Sequence, residues 1–213
     1  MTAGRLIVWR HGRTEWNSSG RFQGQADVPL DELGREQARR AAAVLARMRP
    51  ARIVSSDLAR SRDTAAALAE RCGVAVELDP RLREIHVGTW EGLTAAEVER
   101  VDPELTRRFF AGEDVPRSAT GETVGAVAAR VMAALVDAVA GAPDGSTVVI
   151  TTHGVGGRVG ACRLVGLPPE CWRLLGGLHN CGWIRIDRHR GEYWRIEEYN
   201  VIAPETPTPD EPI

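Results

Sequence analysis

The chain of 213 residues contains no lysine, and its 27 basic side chains are all arginine. That absence rules out Schiff-base chemistry and the lysine of a nucleotide-binding P-loop. Coding bias, visible in the richness in Ala, Gly, Val and Pro, accounts for it without invoking function. Any fixed cation that meets a ligand here is therefore an arginine or a protonated histidine. Cysteine is sparse as well: Cys72, Cys162, Cys171 and Cys181 show neither CxxC spacing nor a dense framework. Reduced structural thiols are expected rather than a zinc site or disulfides. No apolar run reaches the ~18 residues of a membrane span. The four apolar residues Leu6 to Trp9, ahead of Arg10, fall short of the ~7–15 that a signal-peptide core needs. A net charge of -2 lacks the basic excess that nucleic acid demands. The expectation is a cytoplasmic protein with neither membrane nor nucleic acid as partner.

What is present is ordinary for a globular protein: 43% hydrophobic and 26% charged residues, in a chain long enough to bury a sizeable core. Short apolar runs alternate with amphipathic stretches. Leu6 to Trp9, Arg52 to Ser56, Ala75 to Leu78 and Thr147 to Thr151 read as strands. Asp31 is placed to cap a helix reaching about Met48, with Leu33, Ala38, Ala41, Ala42 and Leu45 inward. Further helices are expected from Asp57 to Cys72, Thr94 to Val101, Pro103 to Ala111, Thr123 to Ala140, and after His153. Two late strands, Gly182–Ile186 and Tyr193–Tyr199, form a hairpin. The pattern predicts a three-layer α/β/α sandwich with a mostly parallel sheet and one antiparallel hairpin strand. One domain spans 1–203, with 94–120 as a helical cap, followed by a Pro-rich acidic tail at 204–213.

Three strand ends carry the chemistry. The first apolar run stops at Arg10-His11-Gly12, the second leads to Arg60, and the Thr147 strand runs into Thr152-His153-Gly154. In open α/β sheets that end is where ligands bind. Each residue alone has a bland explanation, since most histidines are satisfied polar groups and most helix-start arginines face solvent. Their recurrence at one topological place is the signal.

The same residues resemble a family. Arg10-His11-Gly12-x-Thr14-x-Trp16-Asn17 is similar to the signature of the histidine phosphatase superfamily, the phosphoglycerate-mutase-like enzymes. Ser56-Asp57-Leu58-x-Arg60-x-x-x-Thr64-Ala65 resembles its second arginine motif. Leu82-x-Glu84-x-x-x-Gly88-x-Trp90-Glu91-Gly92 resembles the segment with its proton donor, and Thr152-His153-Gly154 the segment with its second histidine. The motifs stand in the family's order. Departures are mild: Arg13 at a variable position, and Gly121-Glu122-Thr123 where phosphatases more often have Gly-Glu-Ser.

The resemblance implies that His11 attacks phosphorus and forms a phosphohistidine that water hydrolyses. The residue set is suited to that task. Arg10 and Arg60 would grip phosphoryl oxygens with bidentate, charge-assisted bonds, and the same charges disfavour protonation of His11. His153 would donate to a phosphoryl oxygen. Glu84 is the candidate general acid, then base, against the alternative of a structural ion pair with Arg81 or Arg83. Asn17, Gln23, Gly24 and Gly154 join Arg10, Arg60 and His153 in the phosphate-binding set, Asn17 and Gln23 either contacting phosphate or holding the loop. His86 and Trp90 are expected to pack or to support the residues that touch the ligand, and His179 to reach the pocket mouth. Arg107, Arg108 and Arg117 in the cap hint at a second acidic group on the substrate.

The leading expectation is a phosphomonoesterase that needs no metal and no cofactor, with a small-molecule phosphate ester as partner and a homodimer kept open as its assembly. Phosphoglycerate mutase-type transfer is the rival. The 68 residues between Glu84 and His153 favour the phosphatase, because the family's mutases carry a longer insertion there. A phosphate- or phosphoprotein-binding module that has lost catalysis is the non-enzymatic alternative. A metal site on His11 and His153 would need a nearby cluster of aspartates that the sequence does not offer.

Overall fold

The computed structural model describes residues 2–205, so all but the first two residues of the expected tail lie outside it. Six strands, β1 (Arg5–Arg10), β2 (Pro50–Ser55), β3 (Val76–Leu78), β4 (Thr147–Thr152), β5 (Trp183–His189) and β6 (Tyr193–Val201), form one sheet in the order β3-β2-β4-β1-β5-β6. The first four pair in parallel; β5 lies antiparallel to β1, and β6 antiparallel to β5. The hairpin thus adds two antiparallel strands. Helices α1 (Glu15–Ser18), α2 (Glu32–Leu45), α3 (Ala59–Cys72), α4 (Ala95–Val101), α5 (Pro103–Ala111), α6 (Val124–Ala140) and α7 (Gly154–Leu164) complete the order.

Period-2 alternation along the strands divides the core. Leu6, Val8, Val148 and Ile150 share a cluster with Val127, Val131 and Leu135 of α6 and Val159 of α7. Ile7, Trp9, Val149 and Ile53 belong instead with Ala38, Ala41, Ala42 and Leu45 of α2 and with Ala65 and Leu68 of α3. Two helices therefore cover each face. All six residues of β4 are buried, as expected of a central strand covered on both sides. Each fully buried Leu or Ile contributes roughly 1.5–3 kcal/mol.

Local chemistry sets the helix starts. The Asp31 carboxylate accepts from the Gly34 amide at 2.7 Å, and the Thr123 hydroxyl from that of Ala126 at 3.2 Å. The inward face of α2 differs by one residue from expectation: Leu33 is exposed and Gly34 is buried. Gly34 lies so close to the Arg13 backbone that a Cβ would sit 2.0 Å from its carbonyl oxygen. On the other face, a Cβ on Gly160 would come within 2.4 Å of Val131 Cγ1, so the glycine sets how closely α6 and α7 approach.

The strand ends are level. Arg10 stands opposite Thr152 and Ser55 opposite Thr151. The Thr152 carbonyl accepts from the His11 amide at 3.0 Å, and the Thr151 carbonyl from that of Ser56 at 2.9 Å. One register thus delivers His11, Ser56 and His153 to the same sheet edge.

Candidate active site

The imidazoles of His11 and His153 meet with ring centroids 5.1 Å apart, tilted by 59°. His11 Nδ1 lies 2.7 Å from the Gly12 carbonyl oxygen. A carbonyl can only accept, so Nδ1 carries the proton and Nε2 keeps its lone pair. The loop is fixed from two sides. Gly12 donates its amide to Thr64 Oγ1 at 3.1 Å, and the Thr64 hydroxyl donates to the Arg60 carbonyl at 2.7 Å. A Cβ on Gly12 would lie 2.3 Å from the Gly34 carbonyl oxygen, so only glycine lets the loop approach α2. His153 Nε2 is 2.9 Å from Ser56 Oγ, while its Nδ1 is buried and has no partner.

Both rings are held neutral. Burial pushes the pKa of His11 well below the ordinary imidazole value, and Arg60 and Arg10 add to it. Burial does the same at His153, reinforced by Arg60, His11 and Arg10.

The two arginines are anchored by main-chain carbonyls. Arg60, fully buried, donates Nη1 to Ala26 at 2.7 Å and Nη2 to Gly24 at 2.8 Å. Arg10 donates Nη1 to Leu178. Neither makes an ion pair among the described residues, and the Nε of each is buried without a partner. Arg60 spends one N–H of each terminal nitrogen on the loop, which leaves its Nε–H and one N–H on each Nη for a ligand. Burial lowers Arg60 to about 10, still protonated at neutral pH, with Glu84 and Asp27 pulling upward.

Glu84 is separate from both expected ion-pair partners. Arg81 pairs with Asp79 and Asp137, and Arg83 with Asp57. The Glu84 carboxylate instead accepts from the amides of Val155 (3.1 Å) and Gly156 (3.0 Å), in the first turn of α7, and from Ile85 (2.9 Å). A helix start leaves such donors free. Arg130 of α6 holds the loop behind it, donating to the carbonyls of Arg81, Arg83 and Glu84 while paired with Glu122.

A cavity of about 750 Å³ opens above these groups, lined among others by Arg10, His11, Asn17, Gln23, Gly24, Arg60 and Glu84. His153 and Gly154 are not in its wall. His153 is fully buried beside His11, and a Cβ on Gly154 would stand 3.5 Å from Arg10 Nε and 3.7 Å from Glu84 Oε2. Asn17 caps α1 reciprocally with Thr14 and accepts from Asn180 at 3.1 Å. Gln23 Oε1 is buried without a partner. Gly24 has φ +52, and a Cβ there would come within 2.7 Å of Glu91 Oε1.

The remaining expectations divide. Trp90 is core, and His86 faces the Thr120 carbonyl at 3.0 Å, so both pack. His179 does not reach the mouth: it lines a separate hollow with Gln37 and Arg40, held there by Asn200. Arg107 and Arg108 are exposed and paired with Glu104 and Glu113, whereas Arg117 turns into the cavity. Sequence reasoning missed Asn180, Arg130 and Arg158, and passed over Ser56 within its motif. The first three lie outside the matched motifs, and nothing local marks them. Among the described residues no group of three or more His, Cys, Asp and Glu side chains is placed to hold a metal ion.

The model of the histidine phosphatase superfamily (branch 1) matches residues 6–202. A glucosyl-3-phosphoglycerate phosphatase of Mycolicibacterium vanbaalenii is 40% identical, covering 95% of this chain and 97% of that protein. A probable phosphoglycerate mutase of an Enterobacter species is 34% identical over 93% and 94% of the two. A solved mycobacterial glucosyl-3-phosphoglycerate phosphatase in complex with VO3 superposes with a TM-score of 0.85 at 40% identity, covering 93% of this chain and 99% of that one. A match of this extent over the strands that carry the two histidines leaves one conclusion: the chain is a phosphatase belonging to the histidine phosphatase superfamily (branch 1).

Proposed function

We propose that the enzyme hydrolyses small phosphate monoesters through a phosphohistidine on His11, without a metal, and that its substrate is of the glucosyl-3-phosphoglycerate kind. The supporting observation is the neutral His11 ring with Nδ1 tied to Gly12 and Nε2 free, beside the unpartnered Nε groups of Arg10 and Arg60. His11 Nε2 attacks phosphorus as the bond to the ester oxygen breaks. Glu84 hands its proton to that oxygen. The Nε groups of Arg10 and Arg60 and a proton on His153 Nδ1 stabilise the phosphoryl oxygens. Ser56, which accepts from the Leu58 amide at 3.4 Å, donates its hydroxyl proton to His153 Nε2 and so keeps the ring proton on Nδ1. In the second half the Glu84 carboxylate takes a proton from water, water attacks phosphorus, and the N–P bond breaks to release inorganic phosphate.

The substrate reading rests on the mycobacterial relatives named above. The probable mutase among the relatives aligns over 94% of its own length, so the shortness of the segment after Glu84 does not separate this chain from it. Four free cysteines suit a reducing compartment, the cytoplasm. No described helix is long and apolar enough to cross a membrane. The test is a phosphoester panel, assayed for phosphate release and for isomer interconversion of 3-phosphoglycerate, with and without chelator. Release that is indifferent to chelator, and fastest on glucosyl-3-phosphoglycerate, is expected. Interconversion without release would favour the mutase, and loss of activity to chelator would overturn metal independence.

A further inference from the structure

We infer that the cavity holds a second anion site, built on Arg117, that takes a carboxylate carried by the same small molecule as the phosphate. The enzyme would then select acidic phosphoesters over neutral ones of the same shape. This rests on the phosphatase reading above and deepens it.

Arg117 is only 8% exposed, and its Nη1 is buried without a partner. Its guanidinium lies over the ring of Phe109, 3.8 Å from the centroid, which fixes its plane. Two of the carboxylates on the same wall are committed elsewhere. Asp114 accepts from the amides of Val124 and Gly125, and Glu113 pairs with Arg108. Arg158 and Arg173 line the same cavity, again without an ion pair among the described residues. Arg158 is tied by Nη1 to the Trp172 and Leu175 carbonyls with its Nε buried and unpartnered, and Arg173 donates to the Phe109 carbonyl. Burial lowers Arg117 to about 10; Arg173 and Arg158 push it the same way, against Asp114 and Glu84.

A buried cation that no carboxylate touches is costly, and like charges around one hollow add to the cost. An anion entering the hollow removes both. A carboxylate suits the place better than a second phosphate, because Glu113, Asp114 and Glu170 on the same wall repel a dianion more than a monoanion. A planar carboxylate can also meet one guanidinium edge with two parallel hydrogen bonds. Arg117 shares one cavity with Arg10, His11, Arg60 and Glu84, so one small molecule can span this site and the phosphate end.

The test uses two probes that differ in one group, 3-phosphoglycerate and glycerol 3-phosphate. The wild-type enzyme should show kcat/KM at least about tenfold higher for the carboxylated ester. Arg117→Gln should lose roughly 10- to 100-fold on 3-phosphoglycerate, the range for a charged hydrogen bond, and stay within about threefold on glycerol 3-phosphate. Arg117→Lys should recover part of the loss, and Arg158→Met should show a smaller loss in the same selective sense. Measurable and equal wild-type turnover of the two esters would overturn the proposal, as would an Arg117→Gln enzyme that slows on both alike while still folded. Should that variant fail to fold, the wild-type comparison and Arg158→Met decide. Calorimetric titration of His11→Ala with the same two compounds separates the two claims. Preference for 3-phosphoglycerate there, in a protein whose wild type releases no phosphate from either ester, would sink the phosphatase reading and leave the anion site standing.

Discussion

Arginine does two different jobs in this molecule, and partner chemistry separates them. On the surface it meets carboxylates: Arg52 with Glu77, Arg81 with Asp79 and Asp137, Arg107 with Glu104, Arg195 with Glu197. Such exposed pairs are screened, hold long side chains in one geometry and add little to stability. In the cavity the same residue is anchored by neutral acceptors, Arg60 by Gly24 and Ala26, Arg10 by Leu178, Arg158 by Trp172 and Leu175. A carbonyl fixes the guanidinium without cancelling its charge. At these three arginines the positive charge that a phosphate dianion requires is therefore kept, whereas Arg21, which also lines the cavity, is paired with Glu97 and behaves like the outer set.

The sharpest way to break that contrast is to remove what the inner cations serve. His11→Ala should abolish phosphate release, by roughly 10⁴- to 10⁶-fold, as for other covalent nucleophiles. Next in size is Glu84→Gln, which should cost about 10²- to 10⁴-fold on an alkyl phosphate. Its effect should nearly vanish on p-nitrophenyl phosphate, whose leaving group needs no proton. An equal loss on both esters would reduce Glu84 to a loop-holding residue. Arg60→Lys follows, with a loss of about 10²-fold or more, because a single ammonium nitrogen lacks the planar fork with which arginine reaches two separate carbonyls while its Nε–H points elsewhere. Arg107→Ala, the outer counterpart, should leave kcat/KM within about twofold. If the inner and outer substitutions had similar effects, the division of labour would be wrong.

The smallest effect concerns pH. His11 and His153 have folded-state pKa values lowered by burial, so the unfolded chain binds more protons than the folded one as pH falls below about 6.5. Their contribution to stability is complete above that value and is lost as pH drops toward the folded pKa values. Nitrogen-15 NMR of the imidazoles should show both rings neutral at pH 5.5, with His11 protonated on Nδ1. A charged imidazolium at either position at that pH would contradict the electrostatic account.

Much of this was legible in the chain because it is local. A short β-branched run followed by Arg-His-Gly or Thr-His-Gly announces both a strand and what stands at its end, and the parallel register did the rest. What was hidden depends on main-chain acceptors and on which way a loop turns. Nothing in the sequence distinguishes Arg117, turned inward over Phe109, from Arg107 and Arg108, which reach exposed glutamates. Arg130 clamps the Glu84 loop through three carbonyls, groups every residue carries and no pattern reveals. Leu33 was expected inward by helical spacing. The inward place goes to Gly34, because the backbone of the Arg13 loop leaves room for nothing larger.

The central claim is that His11 accepts the phosphoryl group on the nitrogen its loop leaves free. Enzyme quenched in alkali during turnover, where a phosphorus–nitrogen bond survives, can be digested and the modified peptide sequenced, with the linkage read by phosphorus and nitrogen NMR. The account predicts phosphorus on His11 at Nε2, and none in the His11→Ala protein. Phosphorus on Nδ1, on another residue, or on no residue throughout steady turnover would contradict it.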